Sequence, residues 1–151
     1  MKHEWIVIAN AARARVLELG PSRPLVMLRT LEHPASRARS SELGDDRAGR
    51  ELSGHGFGGA AFEPRVDAQS KERQHFAREL AQWLEDAAHA HSYDAVHLFA
   101  SSPFLGELKH ALGPAASRLV AGTHDVDLTA VGLAELGDRI EQTLAGHRHD
   151  A

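Results

Sequence analysis

Tyr93-Asp94-Ala95-Val96-His97-Leu98-Phe99-Ala100, followed by Ser101-Ser102-Pro103 and then Phe104-Leu105-Gly106-Glu107-Leu108, is the stretch that decides how this chain folds. Its first part is a near-continuous apolar run of strand length, the kind covered on both faces. Ser102 reads as a helix N-cap with Pro103 at the first helical position. Phe104, Leu105, Leu108 and Leu112 give that helix an apolar face, and Gly113-Pro114 ends it. Leu119-Val120-Ala121-Gly122-Thr123-His124 then has the composition of a further strand. Strand, helix and strand in this order form a right-handed parallel crossover unit.

Upstream, residues from Ala68 to His91 have helical spacing, with Phe76, Leu80, Trp83, Leu84 and Ala87 on one buried face. At the start of the chain, Trp5-Ile6-Val7-Ile8-Ala9 is a β-branched apolar run of the buried-strand type. Asn10-Ala11-Ala12 reads as a turn, and Arg13 to Leu19 as a second strand. Gly20-Pro21-Ser22-Arg23-Pro24 breaks the chain before a third strand at Leu25 to Leu31. Short connections make these three an antiparallel meander. Downstream, Leu133, Leu136, Ile140 and Leu144 define a last amphipathic helix, with a cap expected near Thr129 and a fraying tail from Gly146. The predicted order is β-β-β-α-β-α-β-α: an α/β fold with three layers, α/β/α, around a mixed five-stranded sheet, in one domain spanning residues 1–151.

With 151 residues, 42% of them hydrophobic and 25% charged, the chain has the means to bury an ordinary globular core. It contains no cysteine, which excludes disulfides, zinc thiolates and cysteine nucleophiles. The opening Met1-Lys2-His3-Glu4-Trp5 lacks the apolar run of a signal peptide, and no stretch has membrane-spanning length. These features predict a cytoplasmic protein without a membrane partner. The formal net charge of −4 argues against simple polycation binding.

From Pro34 to about Asp67 no hydrophobic period survives, which predicts a long Gly- and Arg-rich loop at about 35–67. Ser53-Gly54-His55-Gly56-Phe57-Gly58-Gly59-Ala60 packs four glycines into six residues, a composition that holds no packed element unaided. Arg37, Arg39, Arg47, Arg50, Arg65, Lys71, Arg73 and Arg78 cluster in and after it, interleaved with Glu42, Asp45, Asp46, Glu51, Glu63, Asp67, Glu72 and Glu79. The region is locally neutral, and its arginines are the groups suited to phosphate.

Recognised catalytic patterns are missing. Ribonuclease-H-like nucleases share the element order, and their chemistry needs several carboxylates at strand ends to hold two metal ions. Trp5 to Ala9 supplies none, while Asp94 and Asp125 near strand ends suit turns or caps. Eleven histidines include His89-x-His91 and His147-x-His149, neither with a recognised ligand spacing. His97 reads as a hydrogen-bonded core residue. Ser101-Ser102 lacks the flanking glycines of a nucleophile elbow, and no Gly-Lys-Ser/Thr follows the glycine segment. No catalytic residue, metal site or cofactor is expected.

The succession from His55-Gly56-Phe57-Gly58-Gly59-Ala60 through Lys71-Glu72-Arg73-Gln74-His75-Phe76 resembles the middle domain of archaeal and eukaryotic class-1 peptide release factors. More specifically the chain resembles the bacterial host attachment proteins, stand-alone relatives of that domain. That resemblance rests on Trp5-Ile6-Val7-Ile8-Ala9-Asn10-Ala11-Ala12-Arg13-Ala14-Arg15, Phe76-Ala77-Arg78-Glu79-Leu80, Leu98 through Leu108, and Asp127-Leu128-Thr129. It implies a release-factor middle-domain-like fold of ribonuclease-H-like topology, and a role tied to translation. Ala60 stands where release factors carry the glutamine of their Gly-Gly-Gln tip. The resemblance therefore implies a non-enzymatic protein that binds RNA, the ribosome or tRNA. Arg47, Arg50, Arg65, Lys71 and Arg73 would contact phosphates, while Gly54, Gly56, Gly58, Gly59 and Ala60 let the backbone come close. Two alternatives stand beside it: a protein-interaction module linked to attachment with no nucleic-acid role, and a weak peptidyl-tRNA ester hydrolase using the Ala60 N–H.

Overall fold

The computed structural model describes the backbone of residues 3–20, 25–32 and 58–150, with side chains described over 3–20, 25–32 and 68–146. In chain order these form β1 (Glu4–Ala9), β2 (Arg13–Leu19), β3 (Leu25–Glu32), α1 (Gly58–His89), β4 (Ala95–Ala100), α2 (Phe104–Ala111), α3 (Pro114–Leu119), β5 (Val120–His124) and α4 (Leu133–Asp150). The strands make one mixed five-stranded sheet in the order β3-β2-β1-β4-β5. β1 pairs antiparallel with β2, from Glu4 opposite Leu19 to Ala9 opposite Ala14, and parallel with β4, from Glu4 opposite Ala95 to Ala9 opposite Ala100. β3 continues the meander antiparallel to β2, and β5 runs parallel to β4.

The period of two along β1 divides the interior. Trp5, Val7 and Ala9 face one side, where Val16, Val96 and Leu98 meet Phe76, Leu80 and Leu84 of α1 and Phe104 and Leu108 of α2. Ile6 and Ile8 face the other, with Leu17, Phe99 and Leu128 under Leu136, Ile140 and Leu144 of α4. Helices thus cover both faces of the sheet, as the apolar composition of β1 and β4 requires. The predicted face of α1 is present: Phe76, Leu80 and Leu84 are buried, Trp83 and Ala87 partly so, and Ala77, Ala81 and Ala88 complete it.

Several boundaries differ from the sequence reading. α1 starts at Gly58, ten residues before the hydrophobic spacing begins, because residues 58–67 lack the apolar period by which such spacing is recognised. Gly113-Pro114 does not simply end a helix. Pro114 opens α3 at a first helical position, where its missing N–H has no intrahelical role. Ser102 is no N-cap: α2 begins at Phe104 after Pro103, without a side-chain cap, across a cis Ser102–Pro103 bond. Thr129 does not cap α4, which begins four residues later at Leu133. The Ser102 hydroxyl bonds Asp125 instead, and the Thr129 hydroxyl bonds Asp127 and Asn10.

Candidate functional site

β1, β4 and β5 run parallel, and in open α/β sheets ligands bind beyond the carboxyl ends of such strands. That edge carries Asn10 after β1, Ser101-Ser102 after β4, and Asp125 to Thr129 after β5. Asn10 Oδ1 accepts the backbone N–H groups of Ala12 at 2.9 Å and Arg13 at 3.0 Å, closing the β1–β2 turn. Its Nδ2 donates to Thr129 Oγ1 at 2.9 Å and Asp127 Oδ2 at 3.3 Å. Thr129 donates its hydroxyl and its N–H to Asp127 Oδ1, at 2.6 and 2.8 Å. Burial pushes the Asp127 carboxyl up, but the two Thr129 donors, the Asn10 amide and the Arg13 charge outweigh it, so its pKa lies below the ordinary value. Arg15 fastens the following segment by donating to the Val131 carbonyl at 2.8 Å. Beside this, Asp125 accepts the Ser102 N–H at 3.2 Å and the Ser102 hydroxyl at 3.0 Å.

These polar atoms are engaged with one another. Chemically the edge is a clasp that ties three strand ends together. No group of three or more His, Asp and Glu among the described residues converges to hold a metal ion. His97 Nε2 lies 3.2 Å from Glu4 Oε2, as a hydrogen-bonded core histidine should, while its buried Nδ1 has no hydrogen-bond partner among the described residues.

A second feature lies between helices on the α1 side of the sheet. Phe76 of α1 packs on Phe104 of α2 with ring centroids 5.9 Å apart. Along this contact runs a groove of about 650 Å³, lined by Gln74 and Arg78 of α1 and by Pro103, Gly106, His110 and Ala111. Glu107 borders it but is held by Arg73, whose Nε donates to Glu107 Oε1 at 2.7 Å and whose terminal nitrogen reaches Ser70 Oγ at 3.4 Å. The hydrogen bond to Glu107 raises the Arg73 pKa further.

The other end of α1 anchors α3. Glu85 accepts the N–H groups of Ala116 at 2.9 Å and Ala115 at 3.3 Å, and meets His89 Nε2 at 2.9 Å. The Ala116 hydrogen bond is the chief cause of its lowered pKa, helped by Ala115 and His89 against some desolvation. This approach requires Gly113, since a Cβ there would sit 2.5 Å from the Glu85 carboxyl. Nearby, Trp5 stacks on Trp83 and on Tyr93, with centroids 5.5 and 4.6 Å away, and the Arg29 guanidinium lies 5.2 Å from the Trp83 ring centre.

The predicted docking residues divide into two groups. Arg47, Arg50, Gly54 and Gly56 lie outside the described residues. Gly58, Gly59 and Ala60 form the first turn of α1, and Arg65, Lys71 and Arg73 follow on the same helix. Of these, Arg73 is half-buried and committed to Glu107, whereas Lys71 is exposed. Lys71, Gln74 and Arg78 fall at i, i+3 and i+7 and share a face. Sequence spacing missed the clasp because Asn10 and Thr129 stand 119 positions apart. It missed the groove because neither helix signals it alone.

A family model described as "Protein required for attachment to host cells" matches residues 5–140. No curated protein matches the chain significantly. The matched span runs from β1 through Ile140 and includes both the clasp and the groove.

Proposed function

The chain belongs to the family of proteins required for attachment to host cells, and from that premise we propose a non-enzymatic, cytoplasmic protein that binds RNA or the ribosome through the segment leading into α1. On this reading the fold is release-factor middle-domain-like, and attachment is a downstream consequence of the RNA-directed role. The start of α1 at Gly58 carries the proposal. The first N–H groups of a helix have no intrahelical acceptor and favour anions. At Gly58 and Gly59 no Cβ stands between those groups and a phosphate. Arg65 and Lys71 follow on the same helix, and Arg47 and Arg50 precede it in sequence. The engagement of the strand-end polar groups in the clasp supports binding rather than catalysis. Pelleting with ribosomes at low salt, weakening steeply as salt rises, is the expected result. Protein that stays in the supernatant at low salt overturns it.

The edge strand β3 favours a second reading, a protein-interaction module with no nucleic-acid role. Val26, Met27 and Leu28 are 51, 36 and 42% exposed on a strand whose outer edge has no sheet partner among the described residues. Under this reading Val26→Lys with Leu28→Lys abolishes partner capture. Alanine at Arg47, Arg50, Arg65 and Lys71 leaves it unchanged. The first reading predicts the reverse for ribosome pelleting.

A further inference from the structure

Gly106 is the anomaly from which a new site follows. It sits inside α2, where glycine costs a helix roughly 1 kcal/mol relative to alanine. Its φ is not positive, and a Cβ built on it would meet no atom within 4 Å. No backbone requirement or internal packing therefore accounts for it. It does form part of the floor of the groove between α1 and α2, beside Pro103 and Ala111. A floor without a projecting side chain leaves room for a flat group to lie against the helix.

The rim supplies the polar half of the recognition. Gln74, Arg78 and His110 line the groove, and their side chains make no hydrogen bond or ion pair among the described residues. The one acidic side chain at the rim, Glu107, is held by Arg73 at 2.7 Å. Arg78 is thus the uncompensated charge, and the groove suits an anion with a planar body. A guanidinium takes phosphate by paired hydrogen bonds, while an amide and an imidazole suit the edge of a base. The volume of about 650 Å³ lies within the usual range for small-ligand sites.

We propose that the groove between α1 and α2 binds a single nucleotide unit, its phosphate on Arg78 and its base laid over Gly106 between Gln74 and His110. The site is separate from the first turn of α1: Gln74 follows Gly58 by more than four helical turns. Either proposal can fail without the other, because one is read by ribosome pelleting and the other by direct titration.

The test is an NMR titration of the full chain with each nucleoside monophosphate, with adenosine, with inorganic phosphate and with a short single-stranded RNA. Saturable shifts at Gln74, Arg78, Gly106 and His110 with a monophosphate are expected, with adenosine and phosphate each at least about tenfold weaker. Arg78→Ala, an exposed change outside the core, weakens binding by about tenfold or more, and Arg78→Lys restores only part. Gly106→Met blocks the groove, with its fold checked by circular dichroism. Shifts at these residues with the RNA alone assign the nucleotide unit to a strand rather than to a free metabolite. Absence of shifts there with every nucleotide and the RNA overturns the proposal. So does affinity that survives both Arg78→Ala and Gly106→Met, or adenosine binding as tightly as its monophosphate.

Discussion

The Asn10 side-chain amide donates to the Thr129 hydroxyl at 2.9 Å, joining the end of β1 to the segment after β5 across 119 positions of sequence. Because the same amide reaches Asp127, and Thr129 donates twice to Asp127, one side chain secures both the β1–β2 turn and the approach to α4.

Asn10→Ala should therefore destabilise the fold by about 1–2 kcal/mol, taking the side-chain acceptor from the Ala12 and Arg13 N–H groups and one donor from Thr129 and Asp127. The folded Asp127 carboxyl has a pKa below its unfolded value of about 3.9. Its contribution is complete above that unfolded value and is lost as pH falls through the folded one. Urea unfolding at neutral and acid pH checks this. Asp127→Asn should lower stability at neutral pH and flatten the acid limb, whereas an unchanged acid limb would refute the assignment.

Tyr93 is the chain's single tyrosine, so its ionisation is read directly by absorbance. Burial, with the Glu85 charge adding to it, pushes its pKa up to about 12. The folded state thus holds the phenolic proton more tightly than the unfolded chain. That contribution is complete below about pH 10 and is lost as pH rises through about 12. Native protein should show no tyrosinate near pH 10, and denatured protein about half. Tyr93→Phe removes the 2.8 Å bond to the Leu84 carbonyl and should cost about 1 kcal/mol.

Glu85→Gln should loosen α3 selectively, read as faster hydrogen exchange at the Ala115 and Ala116 amides with core amides of β4 unchanged. Its lowered pKa gives the anchor the same pH sense as Asp127: present above the unfolded value and lost as acid titrates the folded carboxylate. Gly113→Ala should mimic the effect by steric displacement of the carboxyl. Uniform exchange across the whole fold in either variant would disprove a local anchor.

Gly137 lies inside α4, and a Cβ there would meet Leu25 Cδ1 at 3.7 Å, an ordinary contact. Gly137→Ala should raise stability by about 0.5–1 kcal/mol through helix propensity. A higher thermal midpoint checks it, and a lower one would show that α4 cannot accept the methyl against β3.

How much of this was legible in the sequence depends on the range of the interaction. β1, β4 and the buried face of α1 were readable because their apolar residues recur at the period of their own backbone. The mixed sheet with helices on both faces followed from that. Ser102 and Thr129 read as caps because a hydroxyl before a helix has the same local signature whether it binds the helix or another side chain. Asp125 claims Ser102 from 23 positions away, and Thr129 is held by its near neighbour Asp127 and by Asn10, 119 positions away. α3 was hidden because its anchor, Glu85, belongs to another helix. The groove needed two faces brought together, although Gly106 within a helical run was a visible irregularity.

The place of β1 between β2 and β4 sets an order of assembly. A nascent chain makes the three strands of the β1–β2–β3 meander first. One flank of its most apolar strand then waits for Ala95 to align with Glu4, which requires closing a long intervening loop. The second core waits longer, since Leu136, Ile140 and Leu144 are made last. Until those arrive, Ile6, Ile8 and Leu17 lack the helix that covers them, so the α4 face of the sheet is the last part of the interior to close as the chain is made.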